Sequence, residues 1–171
     1  MRGKSGFSLI ELMLVVAIIL IIAAIAIPNL MRARIAANDS SAAASVRNIG
    51  TAETTYFTTY PAIGFSLDLP SLGGLTPCVS AIAHACIIDN NLATNGGGLG
   101  KSGYTFTAVG SPSGASLTND QYFLTATPLS NTTGARAYCE AQDNVVRVQT
   151  AGNITAVAGL AACGVLSPIA N

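Results

Sequence analysis

Charge is scarce in this chain: Asp, Glu, Lys and Arg make up 9% of its 171 residues, and the formal net charge is zero. A nucleic-acid binder would carry a basic excess, so that class is excluded. Tryptophan is absent, and histidine occurs once, as His84. With a single histidine, no Ser/His/Asp set can be argued, and neither can a carboxylate pair. Catalysis is therefore not expected. No internal repeat is present. Disorder is excluded as well, because apolar residues reach 50% and disordered chains are poor in them. The length suits one domain with a real core, and is too short for two.

The apolar excess is concentrated at the N-terminus. Phe7 to Ile27 is a run of 21 residues, which as a helix spans roughly 30 Å, the hydrocarbon thickness of a bilayer. Arg2 and Lys4 precede it, and basic flanks tend to stay cytoplasmic, so the remainder should face outward. A secretory signal cleaved near Ala24–Ala26 is a competing reading. It leaves Glu11 unexplained, because an unpaired carboxylate in hydrocarbon costs on the order of a few kcal/mol.

After Pro28, which should kink or loosen the helix, the pattern turns amphipathic. Ile35, Ala42, Val46, Ile49, Tyr56 and Tyr60 recur on one face, with Arg34, Asn38, Ser41, Arg47 and Thr51 on the other. Gly50 is a soft point worth about 1 kcal/mol against alanine, and Tyr60-Pro61 ends the helix. From Phe7 to Tyr60 it would measure roughly 80 Å, so half should project from a domain built of the rest. Residues 61–101 read as a loop, with a short helix in "CVSAIAHACIIDNNLA" whose stripe is Val79, Ile82, Ala83, Cys86 and Ile87. Strands follow in "GYTFTAV", "QYFLTAT", "RAYCE" and "NVVRVQT", the last two joined by a turn at Gln142–Asn144. Four mainly antiparallel strands would cover the amphipathic half-helix, an α+β layout. The tail, 151–171, is small and apolar, tethered by Cys163.

Cys78, Cys86, Cys139 and Cys163 all lie beyond the apolar run, on the oxidising side, where an even count reads as disulfides. Three pairings are open, and the sequential one, Cys78–Cys86 with Cys139–Cys163, is preferred because it closes two modest loops. A zinc site of Cys78, His84 and Cys86 lacks a C-x-x-C pair and is set aside; no metal and no cofactor are expected. "NGGGLGKSG" at 95–103 resembles a phosphate-binding loop but has Asn95 where glycine belongs, and a loop precedes it and a strand follows it. Direct nucleotide binding is not expected. "IIDNN" has no calcium-loop spacing. The glycosylation sequons at Asn131 and Asn153 are read as chance matches. Tyr56, Phe57 and Tyr60 are read as packing residues.

A short basic leader ending in Gly6, then Phe-Ser-Leu-Ile-Glu-Leu, then an unbroken apolar run closed by Pro28, resembles the type IV pilins and the type II secretion pseudopilins. The resemblance is strongest over residues 3–60. It implies a cytoplasmic leader 1–6, a transmembrane and filament-core half-helix 7–28, and an amphipathic half 29–60. A loop 61–101, a sheet 102–150 and a disulfide-tethered C-terminal segment then form the head. It also implies cleavage of Gly6–Phe7 by a prepilin peptidase and methylation of the Phe7 amine, leaving six basic side chains against eight acidic ones. Glu11 would then pair with the Phe7 ammonium of a neighbouring subunit and set the axial register of a helical filament, much as one buried polar residue fixes a coiled coil. The implied precursor is a single-pass inner-membrane protein, its N-terminus cytoplasmic and its head periplasmic. An assembly platform and motor would extract it into a surface filament serving motility, adhesion or DNA uptake. A secretion pseudopilin and a signal-anchored extracytoplasmic binding domain are the alternatives. Aromatic electron transport is not favoured, since no aromatic side chain lies between Phe7 and Tyr56.

Overall fold

A computed structural model describes residues 8–169. Helix α1 runs Leu9–Thr59, followed by a 3-10 turn Leu69–Leu72, α2 (Asn90–Ala93), β1 (Tyr104–Ser111), β2 (Gln121–Pro128), β3 (Tyr138–Ala141), β4 (Arg147–Val148), α3 (Leu160–Gly164) and β5 (Ser167–Pro168). The chain forms two compact units, Met1–Arg34 and Ile35–Asn171, described in turn.

In the first unit, the large apolar side chains from Leu9 to Met31 are 46–75% exposed. Leucine and isoleucine dominate, so helix-forming tendency is adequate and no internal core competes for these side chains. Pro28 lies inside α1. Its ring nitrogen cannot donate to the carbonyl of Ala24, so one rung of the helix is missing there.

In the second unit, α1 buries Ala42, Ser45, Val46, Ile49, Gly50, Ala52, Glu53 and Tyr56, a three-to-four spacing that keeps them on one face. That face meets a five-stranded antiparallel sheet of order β1-β2-β3-β4-β5. β1 and β2 pair along their whole length, Tyr104 opposite Pro128 and Ser111 opposite Gln121. Strand alternation turns Tyr104, Phe106 and Ala108 inward with Tyr122, Leu124 and Ala126, each large side chain contributing roughly 1.5–3 kcal/mol by burial. Leu69, Leu72 and Leu92 close the core from the connecting segment. The outer edge of β1 is occupied by chain rather than strand. Asn95 accepts the Phe106 N–H on Oδ1 at 2.6 Å and donates Nδ2–H to the Phe106 carbonyl at 2.8 Å, while the Gly110 N–H donates to Ser66 O at 2.8 Å.

Two expectations are corrected. The sheet has five strands, not four: the fifth, Ser167–Pro168, pairs with β4, and two residues are too few to show alternation. The helix expected within 78–93 shrinks to Asn90–Ala93, with the Asp89 carboxylate capping it by accepting the Leu92 N–H at 2.9 Å. Upstream a reversal bonded between Ala81 and His84, and the Ala85, Cys86 and Ile87 N–H groups donating to the Ser71, Gly73 and Leu72 carbonyls, prevent helical winding. Val79 and Ile82 consequently face solvent.

Gly50 is also more than a soft point. It is buried, and a Cβ there would stand 1.6 Å from Glu140 Oε1 and 2.7 Å from Glu140 Cδ. Glycine lets a carboxyl group lie against the helix backbone. Glu140 is 2% exposed and accepts the Tyr122 hydroxyl hydrogen at 2.8 Å. Glu53, fully buried, accepts from Ser66 N–H at 2.9 Å and Ser66 O–H at 2.6 Å. Burial, the largest effect on each, pushes both carboxyls up to about 7, against the lowering action of these hydrogen bonds.

Gly50→Ala is expected to lose ~1–3 kcal/mol of stability by overpacking, despite alanine's better helix propensity. Denaturant midpoints test it, and the loss should shrink in a Glu140→Ala background. The raised carboxyls give a second expectation. Each holds its proton more tightly folded than unfolded, where about 4.5 is ordinary. Their contribution is therefore complete below about pH 4.5 and is lost as pH rises through about 7. The melting temperature of this unit should fall between pH 5 and pH 8, and the fall should flatten in Glu53→Gln/Glu140→Gln; an unchanged slope in that variant would assign the effect elsewhere.

Candidate assembly site

The first turn of α1 carries an acid, Glu11, in an otherwise apolar segment. The turn begins S-L-I-E, with Ser8 just before the first helical residue and Glu11 three positions on. This is the spacing of a capping box, in which the glutamate reaches back to the N-cap amide. Glu11 Oε2 accepts the Ser8 N–H at 2.9 Å, and the Leu12 N–H donates to the Ser8 carbonyl at 3.2 Å. A carboxylate at a helix N-terminus is also stabilised by the unpaired amides and the helix dipole. Leu9, Ile10 and Leu12 surround it and are exposed. The cap contact was legible in Ser-x-x-Glu, yet attention to the charge alone passes it over. Gly6 and Phe7, the expected cleavage pair, lie outside the described residues.

Glu11 has two carboxylate oxygens able to accept. A Ser8 amide on Oε2 and an ammonium on Oε1 are chemically compatible. The arrangement can thus hold a carboxylate oriented along the helix end, in a low-polarity surface, with capacity for one cationic partner.

The remaining singled-out residues fall in the second unit. Cys78 bonds Cys86 and Cys139 bonds Cys163, with Cα separations of 6.1 and 6.0 Å. The second bond is fully buried among Val157, Phe123, Ala162 and Leu166, tying the α3 segment to β3. With Cys78 and Cys86 joined, the thiolates a zinc site would need are consumed. Among the described residues no group of three or more His, Cys, Asp or Glu could hold a metal ion. The glycine-rich turn leads directly into β1, and Lys101 donates to Ser45 Oγ at 3.4 Å. Asp39 accepts from the Tyr104 hydroxyl at 2.5 Å and the Ala135 N–H at 3.0 Å, fastening α1 to β1 and to the segment before β3. Asp39, Glu53 and Glu140 were not singled out by sequence. Spacing by three and four from Ile49 marks Glu53 as inward, but its acidic character argues for a surface.

Residues 1–27 match the family model described as the prokaryotic N-terminal methylation motif. The chain is 60% identical over 40 residues to the type IV wide pilus major component PilA4 of Thermus thermophilus, covering 23% of this chain and 30% of that protein. It is 48% identical over 52 residues to the type IV major pilin protein PilA of Myxococcus xanthus, covering 30% of this chain and 24% of that one. The chain thus spans less than a third of the length of either relative in these matches. No solved structure matches it. Both relatives are pilins rather than enzymes. The N-terminal segment of this chain thus carries the methylation motif and is similar to part of two type IV pilins, and the chain has an α+β pilin-like layout.

Proposed function

We propose that the chain is a structural, non-catalytic subunit of a type IV pilus-like surface filament, made as a prepilin, cleaved after Gly6, methylated on Phe7 and polymerised through its N-terminal helix. The observation that carries this reading is a methylation-motif segment whose apolar run holds a single charge, Glu11, at the helix start. Before assembly the span 7–28 sits in the inner membrane, N-terminus inside, as a helix long and apolar enough to cross. After assembly the same side chains pack against helices of neighbouring subunits. Lipid and protein are similarly apolar, so extraction needs work from outside the subunit, supplied by an assembly platform and motor. The Phe7 ammonium of a neighbour then reaches Glu11, and an axial offset that misses this pair leaves a buried carboxylate without a counter-ion. The filament as a whole serves motility, adhesion or DNA uptake. Both relatives are named for pili, which favours a pilus over a secretion pseudopilus.

Glu11→Ala should insert and lose its leader normally but yield no sheared filaments; filaments in ordinary amount would overturn the registry role. Intact mass of native filaments should correspond to a chain starting at Phe7 with one added methyl group.

A further inference from the structure

The two disulfides sit in opposite surroundings. Cys139 and Cys163 are fully buried beneath Val157 and Phe123. Cys78, by contrast, is exposed, and its partner Cys86 is half-buried. Thiol–disulfide exchange needs a thiolate to reach one sulfur in line with the bond, so access divides the two sites before any difference in sulfur chemistry.

The surroundings of the exposed bond also suit its opening. Cys86 holds φ at +60°, in the left-handed region that disfavours a side chain. The ring it closes is short, with a sequence separation of 8. Other bonds keep that segment in place. The Ala85 N–H donates to Ser71 O at 2.7 Å, Cys86 N–H to Gly73 O at 3.0 Å and Ile87 N–H to Leu72 O at 2.8 Å. The Tyr56 hydroxyl donates to Ile82 O at 2.7 Å, and the Tyr60 and Ser80 hydroxyls lie 2.9 Å apart. Cleavage of the bond is then a local event. Cys86 Sγ lies 3.5 Å from the His84 carbonyl, so a freed thiol has an acceptor in place.

We infer that Cys78–Cys86 is a reversible modification site for low-molecular-weight thiols, with Cys78 as the attacked sulfur and Cys86 as the leaving group. A thiolate RS⁻ bonds to Cys78 Sγ and the S–S bond breaks. Cys86 departs as a thiolate and takes a proton, leaving a mixed disulfide on Cys78. A second thiol attacks the mixed disulfide, releasing RSSR and the Cys78 thiol. Two thiols are oxidised and one protein disulfide is reduced. Cys139–Cys163 stays closed throughout.

The test treats the full chain, purified in detergent, with graded reduced glutathione, quenches with iodoacetamide and maps cysteines by peptide mass spectrometry. Glutathione should appear on Cys78 and the alkyl group on Cys86 at thiol concentrations on the order of tenfold below those that open Cys139–Cys163. Opening of both bonds together, or of the buried one first, overturns the site; glutathione mainly on Cys86 overturns the direction of attack. Cys78→Ser/Cys86→Ser should retain the far-ultraviolet circular dichroism of the parent, and a collapsed spectrum would refute local opening.

Discussion

Contact between one face of α1, Ala42 to Tyr56, and the inner face of the sheet is the constraint on which the rest of the second unit depends. Sheet strands of eight residues or fewer cannot persist alone in water, and an amphipathic helix gains most of its stability from packing. Each supplies the apolar surface that the other lacks. The contact is close enough that glycine is required at position 50, where the Glu140 carboxyl meets the helix backbone. It also explains why polar groups are tolerated inside. Tyr122 and Ser66 give Glu140 and Glu53 hydroxyl or amide partners, so that the cost of burial falls on their ionised forms rather than on their presence.

The first unit obeys a different rule. Its large apolar side chains from Leu9 to Met31 are exposed, which for a soluble protein would be an aggregation hazard. In the proposed filament subunit the cover comes first from lipid and then from other copies. On that proposal Glu11 would make the two environments unequal, because hydrocarbon offers no ammonium and a neighbouring N-terminus would. The Ser8 N–H shares the burden by donating a hydrogen bond to Glu11 Oε2 at the start of the same helix.

Much of this was legible in the sequence. The long apolar run, the amphipathic spacing from Ala42 to Tyr56, the alternation of Tyr104, Phe106 and Ala108, and the Ser-x-x-Glu start are all periodic or short-range signals. The pairing Cys78–Cys86 and Cys139–Cys163 was one of three alternatives that spacing left open. What stayed hidden depends on distant residues. The apolar stripe at Val79 and Ile82 suggests a helix, but the backbone bonds of Ala85, Cys86 and Ile87 to Ser71, Gly73 and Leu72 override local propensity. Glu53 and Glu140 resemble surface residues until the sheet is folded over them. Strand β5 has only two residues and exists because β4 offers it an edge.

A chain proposed to accumulate as a filament subunit would also have to avoid sticking in the wrong way. Open sheet edges are templates for pairing with any neighbouring strand. Here the outer rim of β1 is blunted: the amide of Asn95 mimics a strand residue opposite Phe106, and Ser66 takes the amide of Gly110. At the opposite rim β5 is two residues long and ends in Pro168, which has no N–H to offer. Both rims of the sheet thereby offer few free backbone groups to an added strand, so in the proposed filament crowding would favour contacts between helices over sheet-to-sheet pairing.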